Sequence, residues 1–249
     1  MGGHLRCVIS VPDSITDGPV VVGSNDVAQR IADQIGVTIA PTAVVTSEDE
    51  AIQRARELGW PLVMKIDLPA VAHRSDLGGV RIGIFDEAGV RDAFQSLFQL
   101  CRRIDPDGPA RVLVQRMEPA GIELILAARL DEVFGPIVMF GSGGVLVEQL
   151  QQATFGLLPM TATEARLMCE QSENQHLFEG YRGLPGVDVR ALADAIASLS
   201  FVVSENSAVT EVEFNPILAT GKRLVAVDWR GLLSPDHDRA GAMAEGRDH

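Results

Sequence analysis

The chain has 249 residues, 46% of them hydrophobic and 22% charged, enough apolar material for a sizeable core without covalent staples. A formal net charge of −13 excludes nonspecific attraction to nucleic acid or an anionic membrane, and 5% aromatic content offers no stacking platform for single strands, so a nucleotide would need a local basic site. Cys7, Cys101 and Cys169 are scattered and form no metal-ligand spacing, and no run approaches the roughly 18 to 20 apolar residues that span a bilayer; the expectation is a cytoplasmic protein with reduced thiols.

Residues 1–22 show no periodicity and are expected as a loose N-terminal extension, as is the polar, small-residue tail 234–249. Ser24 or Asn25 can cap a helix carrying Val27, Ile31 and Ile35 at helical spacing, ended by Gly36. Ser47 with Glu50 three residues on reads as a capping box, and Gly59 with Pro61 stops that helix after Leu58. PLVMKI (61–66) and VRIGIF (80–85) read as strands, and Val90 to Cys101 as a helix. DPDGPA (105–110) interrupts all apolar patterning and is the expected internal boundary, giving one block over 23–107 and another over 108–233. The second block opens with strands RVLVQRM, IELILAARL and PIVMFG and a glycine-rich turn. Helical patterns at 163–172 and 189–204 follow, then closing strands AVTEVEFNPIL and RLVAVDW. Such runs predict an α+β fold of two subdomains.

The densest chemistry lies in HRSDLGGVRIG (73–83), a polar loop between two apolar strands. Neutral imidazole at His73 is a nucleophile toward phosphorus, Arg74 can neutralise a phosphoryl group, and Gly78 and Gly79 let backbone amides approach an anion; a solvated surface loop is the plain alternative. Lys65, inside PLVMKI, either points to solvent or meets a phosphate. Glu211, Glu213 and Asn215 alternate along one strand and project from one face, an oxygen-rich surface suited to magnesium, with Asp228 in the next strand as a further ligand. The same pattern fits a solvated edge strand, although carboxylates at i and i+2 repel unless a cation or a basic residue compensates. FGSGG (140–144) is either a phosphate-facing loop or a tight turn, and neither GxxxxGK[ST] nor GxGxxG after the first strand is present. Glu123 and Glu148 are acids inside apolar strands that can bind ribose or metal or pair with arginine. His4, His176, His237 and His249 have no partners at ligand spacing.

Taken in order, GWPLVMKI, HRSDLGGVRIG, VLVQRM with GIELIL, FGPIVMFGSGG, LFEGYRG, EVEFNP and VAVDWR resemble the successive motifs of the ATP-grasp domain of ADP-forming acetate and other acyl-CoA synthetases, over about residues 25–233. The resemblance implies an ATP-grasp fold with ATP or ADP bound between two α+β subdomains, the first carrying the phosphohistidine loop and the second the nucleotide and Mg2+ site. It implies that His73 carries phosphate, that Arg74 and Arg182 meet the phosphoryl group, and that Lys65 contacts nucleotide phosphates. By the same likeness Gln115, Arg116 and Met117 receive adenine, Glu123 lies near the ribose, Gly78, Gly79, Gly143 and Gly144 line the phosphates, and Glu213, Asn215 and Asp228 hold magnesium. Arg74 stands where lysine is usual and Glu213 where aspartate is common. The match covers neither the CoA-binding nor the ligase domains of the alpha part, so a separate alpha subunit is implied, with an α2β2 assembly as the family's pattern. The alternatives are a succinyl- or malate-CoA ligase subunit, or a regulatory module that senses nucleotide without phosphotransfer.

Overall fold

The computed structural model describes residues 20–21, 25–68, 74, 77–143, 153–174, 176–180, 183–206 and 209–233. In chain order the elements are β1 (Val20–Val21), α1 (Asn25–Ile35), β2 (Thr38–Ile39), β3 (Thr42–Val45), α2 (Glu48–Leu58), β4 (Leu62–Ile66), β5 (Val80–Ile84), α3 (Glu87–Ile104) and β6 (Val112–Arg116). There follow β7 (Ile122–Asp131), β8 (Gly135–Ser142), β9 (Ala153–Leu157), α4 (Ala162–Gln171), α5 (His176–Glu179), α6 (Val189–Glu205), β10 (Val209–Thr220), β11 (Arg223–Ala226) and β12 (Trp229–Leu233). This is the α+β class expected. Among the described residues, no helix is long and apolar enough to cross a membrane.

Two compact units form, one of Met1–Ile39 with Ala120–His249 and one of Ala40–Pro119. They divide the chain differently from the expected boundary at 107/108. β6 lies inside the small sheet, between β3 and β4, so the small unit runs past the Asp105 to Ala110 connection to Pro119. Conversely, Ile31, Ala32 and Ile35 of α1 are buried in the core of the large unit, which removes that helix from the first block. Part of the stretch expected to be loose is also ordered in pairing, since Val20 and Val21 of β1 stand against Leu233 and Leu232 of β12.

The small unit is an antiparallel sheet in the order β3-β6-β4-β5, with α2 and α3 on one face. Ser47 caps α2 by accepting from the Glu50 amide at 3.3 Å, while the Glu50 carboxylate accepts from the amide of Thr46 at 2.9 Å, one residue ahead of the expected capping-box donor. Gly59, at φ 78° and ψ 167°, takes an extended conformation with positive φ that favours glycine, and it ends this helix where the sequence placed the stop. α3 is longer than its apolar stripe because Asp86 caps it, accepting from Gly89 N at 2.8 Å; its buried Val90, Ala93, Phe94, Leu97 and Cys101 keep helical spacing.

The large unit is an eight-stranded sheet among the described residues, ordered β1-β12-β10-β7-β8-β9, with β11 beside β10 and β2 pairing β11 in parallel. β10 organises it. Its first half pairs with β12 and its second half with β11, while β7 runs along the other side. The register shifts between Phe214 and Ile217, the point at which β10 changes neighbours. One sheet face, carrying Leu124, Leu126, Phe140, Val212, Phe214 and Ile217, is buried against Leu192, Ile196 and Leu199 of α6. Gly36 (φ 72°) closes α1, and Val37 N donates to Ala32 O at 2.9 Å, the six-to-one bond of a Schellman turn.

Candidate functional site

The small unit positions Lys65 and Gln115. Alternation along the strands buries Leu62, Met64 and Ile66 of β4 and Val112 and Val114 of β6 under the helices. Val63 and Lys65, with Leu113 and Gln115, therefore take the opposite face. Register places Lys65 beside Leu113 and Val80, and Val63 beside Gln115 and Ile82, so one cation and one amide stand in an otherwise apolar floor. Lys65 is only 7% exposed, which removes the solvent-facing alternative for it. Gln115, 5% exposed, donates from Nε2 to Thr42 Oγ1 at 2.8 Å, and that hydroxyl donates to Ala40 O at 2.7 Å. The amides of Arg116 and Met117 donate to the carbonyls of Pro41 and Pro61, both at 2.9 Å, so a nucleobase here would meet other groups of this stretch.

His73 lies outside the described residues, but both flanks of its loop are placed. On one side, Asp67 N donates to Arg111 O at 3.0 Å, and the Asp67 carboxylate pairs with Arg111 Nε at 3.0 Å. On the other, Gly79 N donates to Arg74 O at 2.8 Å and Ile66 N donates to Gly79 O at 2.9 Å. A Cβ on Gly79 would come within 2.8 Å of Arg74 O and 2.7 Å of the Ile66 side chain, so this glycine and its amide serve the closure of the turn. Gly78 is the residue there in left-handed conformation (φ 66°), and its carbonyl accepts from Arg81 Nη1 at 2.6 Å. Arg81 Nη2 donates in turn to Ser96 Oγ on α3 at 2.9 Å, a brace the sequence reading passed over although it lies inside the motif 73–83.

The large unit carries the acidic face. Val212 and Phe214 are buried in the core, so Glu211, Glu213 and Asn215 project from the other side of β10, as their alternation predicts. The change of neighbour at the β10 irregularity brings Asp228, between β11 and β12, to the same place: Asn215 N donates to Asp228 O at 3.1 Å, and Val227 N to Pro216 O at 3.1 Å. Asn215 Nδ2 donates to Glu213 Oε1 at 3.2 Å, and Asp228 Oδ1 accepts from Trp229 N at 2.9 Å. Two carboxylates and an amide are thus gathered by backbone pairing, a hard oxygen set that suits Mg2+, which takes few protein ligands beside phosphate oxygens. Among the described residues no group of three or more His, Cys, Asp or Glu side chains is placed to hold a metal; the set here joins two carboxylates to one amide.

Arg230 was not singled out from the sequence, although the expected repulsion along β10 called for a compensating basic residue. It stands directly across from Glu213 in the β10–β12 register and pairs with Glu211, Nη2 to Oε1 at 2.5 Å. The Glu211 hydrogen bond, with further attraction from Glu211 and Glu213, raises the Arg230 guanidinium pKa above its ordinary value.

Glu123 lies on the same face of β7, with more than a third of its surface exposed, and desolvation by its surroundings raises its carboxyl above the usual range. Gly143 N donates to Glu123 O at 2.7 Å, and a Cβ at Gly143 would lie 2.4 Å from Leu124 C and O. Its place in FGSGG is therefore set by close backbone packing, whatever else the turn does. Arg182, Gly144 and Glu148 lie outside the described residues. Cys101 and Cys169 are buried free thiols; desolvation pushes Cys169 up to about 12, so neither is a reactive thiolate at neutral pH.

A family model described as ATP-grasp domain matches residues 21–232. The beta subunit of acetate–CoA ligase (ADP-forming) I from Pyrococcus furiosus is 36% identical over 207 residues, covering 83% of this chain and 89% of that one. The 4-hydroxybutyrate–CoA ligase (ADP-forming) of Nitrosopumilus maritimus is 34% identical over 195 residues, 78% of this chain, which spans only 28% of that protein. A solved structure of acetyl-coenzyme A synthetase 1 from Ca. Korarchaeum cryptofilum, with coenzyme A, Mg-AMPPCP and a phosphohistidine segment pointing towards the nucleotide binding site, superposes with a TM-score of 0.70. It is 32% identical and covers 86% of this chain and 93% of that one.

Proposed function

Because the chain belongs to the ATP-grasp family, among the beta subunits of the ADP-forming acyl-CoA ligases, we propose that it is the nucleotide-binding, phosphohistidine-carrying subunit of such a ligase. The enzyme converts acyl-CoA, ADP and phosphate to acid, ATP and CoA, and the reverse, together with a CoA-binding alpha subunit in an α2β2 assembly. The observation that supports this reading is that the same chain carries His73 within the motif HRSDLGGVRIG and, on its large unit, Glu213, Asn215 and Asp228 brought into one neighbourhood by backbone pairing. In the ATP-forming direction His73 receives phosphate from the alpha subunit's acyl phosphate, releasing the acid, and then loses it to the terminal phosphate of ADP. Arg74 and Arg182 neutralise the phosphoryl oxygens in transit, Lys65 holds the nucleotide phosphates, and Gln115 with Arg116 and Met117 borders the base. Glu123 accepts from the ribose, and Gly78, Gly79, Gly143 and Gly144 keep the loops near the phosphates narrow. Mg2+, when bound by Glu213, Asn215 and Asp228, supplies charge neutralisation at the nucleotide phosphates. The two buried free thiols are in keeping with a reducing, cytoplasmic setting.

The test is reconstitution with the alpha subunit and an assay of ATP formation from acyl-CoA, ADP and phosphate. His73→Asn is expected to abolish turnover while ADP binding persists; full turnover by that variant would refute the phosphohistidine route, and nucleotide binding without any turnover by the native pair would favour the sensing module.

A further inference from the structure

The arrangement of charge around β10 points to a role for Glu211 distinct from that of the metal-binding set. Four charged side chains meet on this face. The antiparallel register puts Glu211 opposite Arg129 of β7, and Glu213 opposite Arg230 of β12. Residues directly opposed in such a ladder project to the same side with Cβ atoms about 5 Å apart, close enough for Arg230 to reach Glu213. The guanidinium instead takes the diagonal partner, Glu211, at 2.5 Å. Arg129 is held elsewhere, its Nη2 lying 3.3 Å from Asp131 Oδ2. Glu213 is left to Asn215, whose Nδ2 it accepts at 3.2 Å.

We infer that Glu211 is a positioning residue: it tethers Arg230 away from Glu213 and so keeps that carboxylate open to a divalent cation. The inference rests on the metal assignment proposed above. Its physical basis is competition, since a guanidinium hydrogen-bonded to Glu213 would have to be displaced, or would repel the incoming ion, whereas one neutralised by Glu211 does neither. Glu211 itself need not touch the metal. Replacing it by an isosteric amide releases Arg230 to its register partner.

The measurement is titration calorimetry of ADP onto the full chain, in EDTA and in excess Mg2+, read as the ratio of the two dissociation constants. A change in fold or base binding moves both constants together and leaves their ratio, while loss of the tether moves only the constant in Mg2+ and so changes the ratio. Glu211→Gln is expected to lower the Mg2+-linked gain about tenfold, the scale on which partners that orient metal ligands act. Arg230→Gln alone is expected to change that gain by no more than about twofold, and Glu211→Gln/Arg230→Gln to restore it nearly to the native value. Independent sites act additively to within about twofold in a binding constant, so the arginine substitution must act several-fold more strongly in the Glu211→Gln background than in the native chain. Additive effects of the two substitutions would overturn the tether and leave only through-space charge. A large loss in Arg230→Gln alone would overturn it too, and would make the arginine a nucleotide contact. If the native chain shows no Mg2+-linked gain, the metal assignment itself fails, a result distinct from a gain that Glu211→Gln leaves unchanged.

Discussion

Gly143→Ala separates packing from phosphate binding at the glycine-rich turn. The added methyl carbon would lie 2.4 Å from both the carbonyl carbon and the oxygen of Leu124 and 2.8 Å from its nitrogen, about 1 Å inside ordinary contact. Neither side can yield cheaply. Leu124 is fully buried in β7, which pairs with β8 and β10, and Gly143 is tied to Glu123 O by a 2.7 Å hydrogen bond. Overpacking of this kind costs about 1–3 kcal/mol, and a backbone obstacle puts the substitution near the upper end, about 3 kcal/mol. For a chain of this size that corresponds to a fall in Tm of roughly 6–12 °C. Differential scanning calorimetry, with ADP titrated at a temperature where both proteins are folded, reads stability and binding separately. A variant that melts within about 1 °C of the native chain but loses ADP affinity would refute the packing argument and return Gly143 to a purely phosphate-facing role.

Arg81→Ala removes the brace from Gly78 O to Ser96. A loss of about 1–3 kcal/mol in urea unfolding is expected, with phosphoryl transfer slowed more than ADP binding is weakened; equal stability would show that the brace contributes nothing. Thr161→Ala deletes the hydroxyl from the α4 capping box, which accepts from the Glu164 amide and donates to the Glu164 carboxylate, while the backbone amide of residue 161 still donates to Glu164; the substitution is expected to cost about 1 kcal/mol by the same measurement. Glu123 has a folded pKa raised by desolvation, so protonation favours the fold: its penalty is absent at low pH and develops as pH rises above the ordinary value of 4.5 and through the raised folded value. Glu123→Gln should therefore match the native Tm near pH 4 and exceed it near pH 8, with ADP binding weakened if the carboxylate meets the ribose. A native advantage at pH 8 would reverse the sign of this argument.

Local signals were the legible part of the fold. Gly36, Gly59 and Ser47 mark helix ends because each supplies a conformation or an acceptor that the end itself requires. The alternation of EVEFNP likewise gave the oxygen-bearing face of β10, since side-chain direction along a strand follows from the sequence. What depends on distant pairing was not legible. β6 belongs with β3 and β4, across the proline- and glycine-rich break that looked like a boundary. RLVAVDW reads as one apolar run but is two strands, because β10 changes partners beside it and sets Asp228 in the gap. The two-residue β1 and β2 are too short to carry a period, and α5 covers only four residues. Arg230 and Arg81 were missed for the same reason: each acts through a register or helix contact, although both sit inside motifs already marked, VAVDWR and HRSDLGGVRIG.

The central claim is phosphate transfer through His73, and the most direct measurement is incubation of the purified chain with γ-labelled ATP and Mg2+, followed by mass-spectrometric location of acid-labile, base-stable label. Label on His73 that chases onto added ADP as ATP is expected, from the chain alone or once the alpha subunit is supplied. Tight ADP binding with no label in either condition, or label on another residue that chases equally well, would contradict it.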